Sequence, residues 1–281
     1  MRKSAIGIVA VAALIRTPVL AADMAVKAPP PALSPVHSWA GFYIGASAGY
    51  GWSNSDINLD SVGSADPGLA LQVTQTSAAA TPPTLNTHSH SFIGGGQFGY
   101  NFQSNRIVWG LEADFSFANM KGTDTRSGSA LLLPASIANI TAVGEKKLDF
   151  LGTVRGRLGF TPIDSLLVYT TGGLAYGHVE SHTDTSDSGA PILTGPASGS
   201  ASAMRAGWTA GGGIESALLF APRWSLKAEY LYYDLGKLTY TLSPAAVCVG
   251  ACATTVGFVT TTASANFHGS LVRIGLNYKL Q

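Results

Sequence analysis

The 281-residue sequence predicts an all-β fold: an eight-stranded antiparallel transmembrane up-and-down β-barrel with four long extracellular loops and three short periplasmic turns. Three observations lead there. Only 12% of residues are charged, about half the share usual in a soluble domain, while 46% are hydrophobic and 33 are glycine. Beyond residue 22 no apolar stretch approaches the roughly 20 residues that a spanning helix needs, which excludes a polytopic helical protein. Instead, segments of alternating polarity recur, separated by connections that are long and short in strict turn. Composition excludes other classes as well. Seventeen basic against 16 acidic residues leave no excess charge to neutralise phosphates, so nucleic acid is not an expected partner. The apolar content is too high and the net charge too small for a disordered chain.

At the N-terminus, Arg2 and Lys3 precede an apolar run from Ala5 to Ile15, and Val19, Ala21 and Ala22 offer a cleavage site. Residues 1–22 therefore read as a secretory signal peptide. Its removal deletes Arg2, Lys3 and Arg16 and no acid, which turns the net charge of +1 slightly negative. Residues 23–38 carry Pro29, Pro30, Pro31 and Pro35 and no periodic pattern, and are expected to form an extended Pro-rich periplasmic segment. The barrel then occupies residues 39–281. Export, together with the strand pattern, predicts the outer membrane of a Gram-negative bacterium.

A transmembrane strand needs about 9 to 11 residues, one face to lipid and the other to the lumen. Eight segments fit: residues 41–52, 91–102, 107–117, 147–160, 166–179, 205–219, 224–233 and 267–280. Tight turns are expected at 103–106, 161–165 and 220–223, where Asn, Pro, Asp and Ser supply turn chemistry. The long connections 53–90, 118–146, 180–204 and 234–266 are rich in Ser, Thr, Ala, Gly and Pro and read as mobile surface loops. Aromatic residues test the topology, because a barrel gathers them at its two membrane interfaces. Trp39, Phe42, Tyr100, Phe102, Trp109, Phe160, Phe220, Trp224 and Tyr278 lie near predicted periplasmic ends. Trp52, Phe92, Phe115, Phe117, Phe150, Tyr176, Trp208, Tyr230, Tyr232 and Phe267 lie near outer ends.

Alternation also assigns the interior. In 107–117, Ile107, Trp109, Leu111, Phe115 and Phe117 share one face, which must meet lipid, and Glu112 and Asp114 take the other. The same reading turns Arg155, Arg157, Glu215, Lys227, Glu229 and Arg273 inward. Four bases and four acids thus line the expected lumen. Eight strands enclose a space that side chains just fill, so this set is either an interlocked plug or the lining of a narrow pore. Glycines at 94–96, 172–173 and 211–213 make room for long charged side chains.

These residues resemble a known family. Ala28-Pro29-Pro30-Pro31, Ser38-Trp39-Ala40-Gly41-Phe42-Tyr43-Ile44-Gly45 and Gly49-Tyr50-Gly51-Trp52 look like the opening of the alphaproteobacterial outer-membrane immunogenic proteins, small β-barrels of the porin family. Val168 to Gly177 and Val272 to Lys279 are similar to later strands of that family. The resemblance spans essentially all strands and implies an abundant eight-stranded surface barrel that supports envelope integrity and contacts the surroundings. One departure is that such barrels usually end in an aromatic residue read by the insertion machinery, whereas Leu280 and Gln281 follow Tyr278 and Lys279 here.

Several constellations carry residue types capable of chemistry. His268 and Ser270 stand two apart on one face and resemble the His-x-Ser pair of lipid A deacylases, but no Asn follows Ser270. His88, His90, His178 and His182 lie near outer strand ends and read as solvated loop histidines, with convergence on a metal or haem-like ligand as the lesser alternative; four residues along a strand do not give the adjacency that a helix would. Cys248 and Cys252 read as a disulfide stapling the last loop. Lys121, Arg126, Lys146, Lys147 and Lys237 are expected at the outer rim, placed to contact lipopolysaccharide phosphates. The functional expectation is a non-enzymatic surface barrel without cofactors. Its expected partners are outer-membrane lipid, lipopolysaccharide and the barrel-insertion machinery, and a small diffusion pore is the alternative.

Overall fold

The computed structural model describes residues 37–132, 136–187, 192–249 and 255–280. The predicted signal peptide and most of the Pro-rich segment lie outside the described residues, as does Cys252. Eight long strands make the wall: β1 (Gly41–Ser64), β2 (Thr84–Ser104), β3 (Ile107–Leu132), β4 (Ser136–Ile163), β5 (Leu166–Asp187), β7 (Ala197–Leu218), β8 (Ala221–Thr241) and β10 (Thr255–Lys279). A helix, α1 (Leu69–Ala80), and two short strands, β6 (Ile192–Thr194) and β9 (Ala245–Val249), complete the described elements. Each long strand pairs antiparallel with its neighbour in the chain, and β10 returns to pair with β1. Ser47 of β1 faces Gly95 on one side and Gly275 on the other, so the sheet closes and leaves no free edge in this region.

Two of the three tight turns fall within their predicted ranges, and the third lies at Leu219-Phe220, a step before the predicted 220–223, because Ala221, Pro222 and Arg223 already begin β8. In each, two residues join a closing strand pair: Ser104 with Ile107, Ile163 with Leu166, and Leu218 with Ala221. Asn105 takes a φ of 53° at the first turn, a left-handed conformation that asparagine tolerates. At the other end the strands outrun the prediction. β4 is 28 residues long, more than twice the about 9 to 11 that a crossing requires. Segments predicted as loops at 53–90, 118–146, 180–204 and 234–266 are largely strand that continues the cylinder outward. The cause is a second alternating pattern of low contrast, in which Ile57, Leu59, Leu85, Ile140, Val179, Leu238, Ala263 and Ala265 point inward between small polar residues that point out.

Inside and outside therefore change character along the axis. In the membrane-spanning part the exterior is apolar, with Leu111, Val154, Leu158, Leu174, Ile214 and Ile274 exposed, and the interior is charged. In the outer part this inverts, and a hydrophobic core fills the cylinder as in a soluble protein. Burying each Leu or Ile there contributes about 1.5–3 kcal/mol. α1 packs against β1, β3, β4 and β10 over this core, burying Val73, Ala78 and Ala80.

The aromatic girdles follow the predicted levels, with ring centroids linked from Phe42 to Tyr100 (4.5 Å), Phe102 (4.6 Å) and Trp109 (4.1 Å) at the periplasmic side. Trp208–Tyr232 (5.3 Å) and Phe115–Phe150 (5.0 Å) mark the outer one. Two aromatics predicted for the girdles lie elsewhere. Trp39 folds across the periplasmic mouth and is buried with Val108, Leu167, Tyr169 and Ala217, its indole Nε1 donating to the Asp164 carbonyl at 3.1 Å. Phe267 has the same odd-numbered parity on β10 as Arg273 and points into the core.

β-Bulges explain the remaining parity changes. Between Leu148 and Phe150 the register of β4 shifts against both neighbours. Below the bulge Leu151, Thr153, Arg155 and Arg157 face inward, whereas above it Ala142, Lys146 and Leu148 do. β8 behaves alike at Gly236, whose φ of 76° favours glycine: Leu235 is inward before it and Leu238 after it.

Candidate functional site

All eight charged residues assigned to the lumen are buried inside the barrel. β3 and β4 are adjacent, and their register sets Glu112 opposite Arg155 and Asp114 opposite Thr153. The Arg155 guanidinium donates through Nη2 to Glu112 Oε1 (2.5 Å) and Asp114 Oδ2 (2.8 Å), and through Nη1 to Glu229 Oε1 (3.0 Å). Arg273 from β10 grips Glu229 Oε2 with Nε (2.7 Å) and Asp114 with Nη1 and Nη2 (3.1 and 3.0 Å). Lys227 reaches both oxygens of Glu112 at 3.0 Å. Nearer the periplasm, Arg157 donates to Glu215 Oε2 at 2.8 Å, and its guanidinium lies 4.2 Å from the Tyr169 ring centre. The side chains of Arg155 and Lys227 have 0% exposure. Each charge has opposite-charge partners, the condition under which desolvated ions are tolerated.

Sequence reasoning missed the neutral members of this network. Tyr43 donates to Glu112 Oε2 (2.7 Å) and Tyr169 to Glu229 Oε1 (3.0 Å), while Asn277 and Ser225 both donate to Glu215 Oε1 (2.7 and 2.5 Å). Strand parity was the available signal, since Tyr43 shares a face with Ser47 and Tyr169 with Gly173. Gly99 lies opposite Tyr43 in the register, and a Cβ there would come 2.4 Å from the phenol oxygen, so glycine makes room for the tyrosine.

The predicted rim cations divide. Lys121 pairs with Glu145 (2.7 Å), Arg126 with Asp124 (3.0 Å) and Lys147 with Asp149 (2.6 Å), while Lys237 is exposed. Lys146 is not at the rim. The β4 bulge turns it inward, where it is 4% exposed, donates to Ser55 Oγ and to the Asn266 carbonyl, and sits 5.0 Å from the Phe267 ring centre. Burial pushes its pKa down to about 7 from 10.5, although the charge of Asp56 pulls the other way. Cys248 is buried on β9, and its predicted partner lies outside the described residues.

The histidines do not converge. His88 and His90 stand on β2, and His178 and His182 on β5, three strands away. His178 Nδ1 is 2.7 Å from Asp149 Oδ2, and His182 Nε2 is 2.9 Å from Asp184 Oδ2. Ser270 Oγ bonds the Tyr230 hydroxyl at 2.9 Å, and among the described residues no hydrogen bond joins it to His268.

A closed antiparallel cylinder with an apolar belt, two aromatic girdles and a charged interior has the anatomy of a bacterial outer-membrane barrel. The sequence profile of the outer membrane protein beta-barrel domain matches residues 19–279. The chain belongs to this family. It is 35% identical over 273 residues to the 31 kDa outer-membrane immunogenic protein of Brucella melitensis, covering 96% of each chain. It is also 28% identical to the 22 kDa outer membrane protein of Rhizobium leguminosarum, covering 75% of this chain and 71% of that one. Among solved structures, the outer membrane protein OprG from Pseudomonas aeruginosa is similar at 14% identity and a TM-score of 0.39, covering 88% of this chain and 99% of that one. This member of the outer-membrane barrel family accordingly resides in the outer membrane of a Gram-negative bacterium.

Proposed function

We propose that the protein is a non-enzymatic surface barrel that contributes to envelope integrity and surface interactions, its lumen plugged by the charged network. One observation carries this reading: the fully buried Arg155 ties Glu112 and Asp114 on the neighbouring strand to Glu229 on β8, on the far side of the barrel. Such a crossing consumes the space that ions would need, and opening it would strand desolvated charges. Trp39 below and the apolar core above support the same conclusion. Acyl chains surround the apolar belt, the insertion machinery delivers the barrel to it, and Lys121, Arg126, Lys147 and Lys237 contact lipopolysaccharide at the outer rim. Similar Brucella proteins are termed immunogenic, and we read the outer end of this chain as likewise presented to the surroundings. Planar-bilayer recording on the purified protein tests the plug. No reproducible openings are expected, and a steady unitary conductance would replace the plug with a diffusion pore.

A further inference from the structure

We propose that Asp149, His178 and Glu180 form a binding site for a first-row divalent metal ion, with Zn²⁺ as the preferred occupant, on the outer face of the barrel at the level of the outer aromatic girdle. One ligand atom from each of the three lies within 4.8 Å of the others.

The β4 bulge builds the site. Register pairs Leu148 with Val179 and Phe150 with His178, which leaves Asp149 as the extra residue. The parity change puts Asp149 and Phe150 on the outer side together, and the carboxylate thereby reaches the outward-facing residues of β5. Re-aiming one side chain is a recurrent use of such bulges. His178 and Glu180 are two apart on β5 and share its outer face.

The donor set has the chemistry of a zinc centre: one imidazole nitrogen and two carboxylates, with room for water as the fourth ligand. The imidazole is also held from behind. Its Nε2 lies 3.0 Å from Ser202 Oγ on β7, a hydroxyl that can donate or accept. When Nε2–H donates to Ser202, the Nδ1 lone pair faces the carboxylates, and a cation between them satisfies all three. Metal-bound histidines are characteristically oriented by such a second hydrogen bond.

Access is provided by an outward-opening cleft of about 410 Å³ beside the cluster, lined by Glu145, Lys147, Glu180, His182, Ser200 and Ser202. The small side chains of β7 leave space there for a hydrated ion. Lys147 already reports the attraction of the site for positive charge, its ammonium lying 2.6 Å from Asp149 Oδ1 and 3.9 Å from Glu180 Oε2. Because it holds Oδ1 while His178 approaches Oδ2, an ion can use the second oxygen without evicting the lysine. The ammonium therefore weakens the site by repulsion and does not block it.

The test is calorimetric titration of ZnCl₂ into the untagged, refolded protein in detergent, with Cu²⁺ electron paramagnetic resonance as an independent readout. We expect one saturable zinc site per chain and a copper spectrum with coupling to a single nitrogen. His178→Gln and Glu180→Gln should each weaken binding by roughly tenfold or more, and Lys147→Met should tighten it. All variants lie on the outer surface and are checked for folding by heat-modifiable migration. Absence of a saturable site, unchanged affinity in folded His178→Gln and Glu180→Gln, or weaker binding in Lys147→Met would each overturn the proposal.

Discussion

Glu112 and Arg155 are direct register partners on β3 and β4, and they close a 2.5 Å ion pair where neither side chain meets solvent. Pairing along the sheet thus dictates pairing of charge inside it. Arg155→Ala removes the cation shared by Glu112, Asp114 and Glu229, and is expected to destabilise the folded barrel by about 3–5 kcal/mol. Lys121→Ala breaks an exposed pair of similar length and should cost under about 1 kcal/mol. Urea unfolding in detergent, followed by tryptophan fluorescence, separates the two. Equal losses would contradict the buried geometry.

Trp39→Ala should cost about 3–5 kcal/mol, because the indole fills the periplasmic mouth against Leu167 and Tyr169. Trp39→Phe keeps most of that volume while losing the bond to the Asp164 carbonyl, so its midpoint should fall between wild type and Trp39→Ala. The denaturation midpoints provide the check.

Lys146 predicts an alkaline dependence of stability. Its folded pKa of about 7 lies below the ordinary 10.5, so between these values the unfolded chain binds the additional proton. Stability must therefore rise with pH across that window, by up to about 1.4 kcal/mol per unit, and the destabilisation is fully present below pH 7. Lys146→Met should be more stable than wild type at pH 7 and lose this slope. Urea midpoints at pH 7.5, 8.5 and 9.5 measure both effects.

Gly99→Ala places a methyl group 2.4 Å from Tyr43 Oη and 2.6 Å from the Leu111 carbonyl oxygen. We expect a loss of about 1–3 kcal/mol; Tyr43→Phe relieves little of it, because the ring Cζ stays 2.5 Å from the added methyl group, whereas Tyr43→Ala removes the tyrosine's share of the clash. A double-mutant cycle by urea unfolding reads the coupling.

The eight interior charges were legible in the sequence because a charge on a strand flanked by Leu, Val and Phe has only one side on which to escape hydrocarbon. Tyr43 and Tyr169 were not, since tyrosine is equally at home in a girdle or on a buried carboxylate. Lys146 was illegible for a geometric reason: one extra residue at Asp149 reverses the parity of everything beyond it, and a bulge leaves no mark in composition. The outer strands were hidden by weak contrast, with Ala, Ser and Thr serving on both faces. α1 lacked the usual signals as well, starting after Gly68 at a φ of 113° with no capping side chain and no acid in its first turn.

The continuation of β4 beyond the hydrocarbon raises its tip on the order of 30 Å above the lipid surface, at about 3.3 Å per tilted residue. Among the described residues, most of what this outer end presents is backbone already locked between two hydrogen-bonded neighbours. Recognition there forfeits little conformational entropy, and it depends on residues brought side by side from different strands. Short linear fragments of the chain would make poor mimics of that surface.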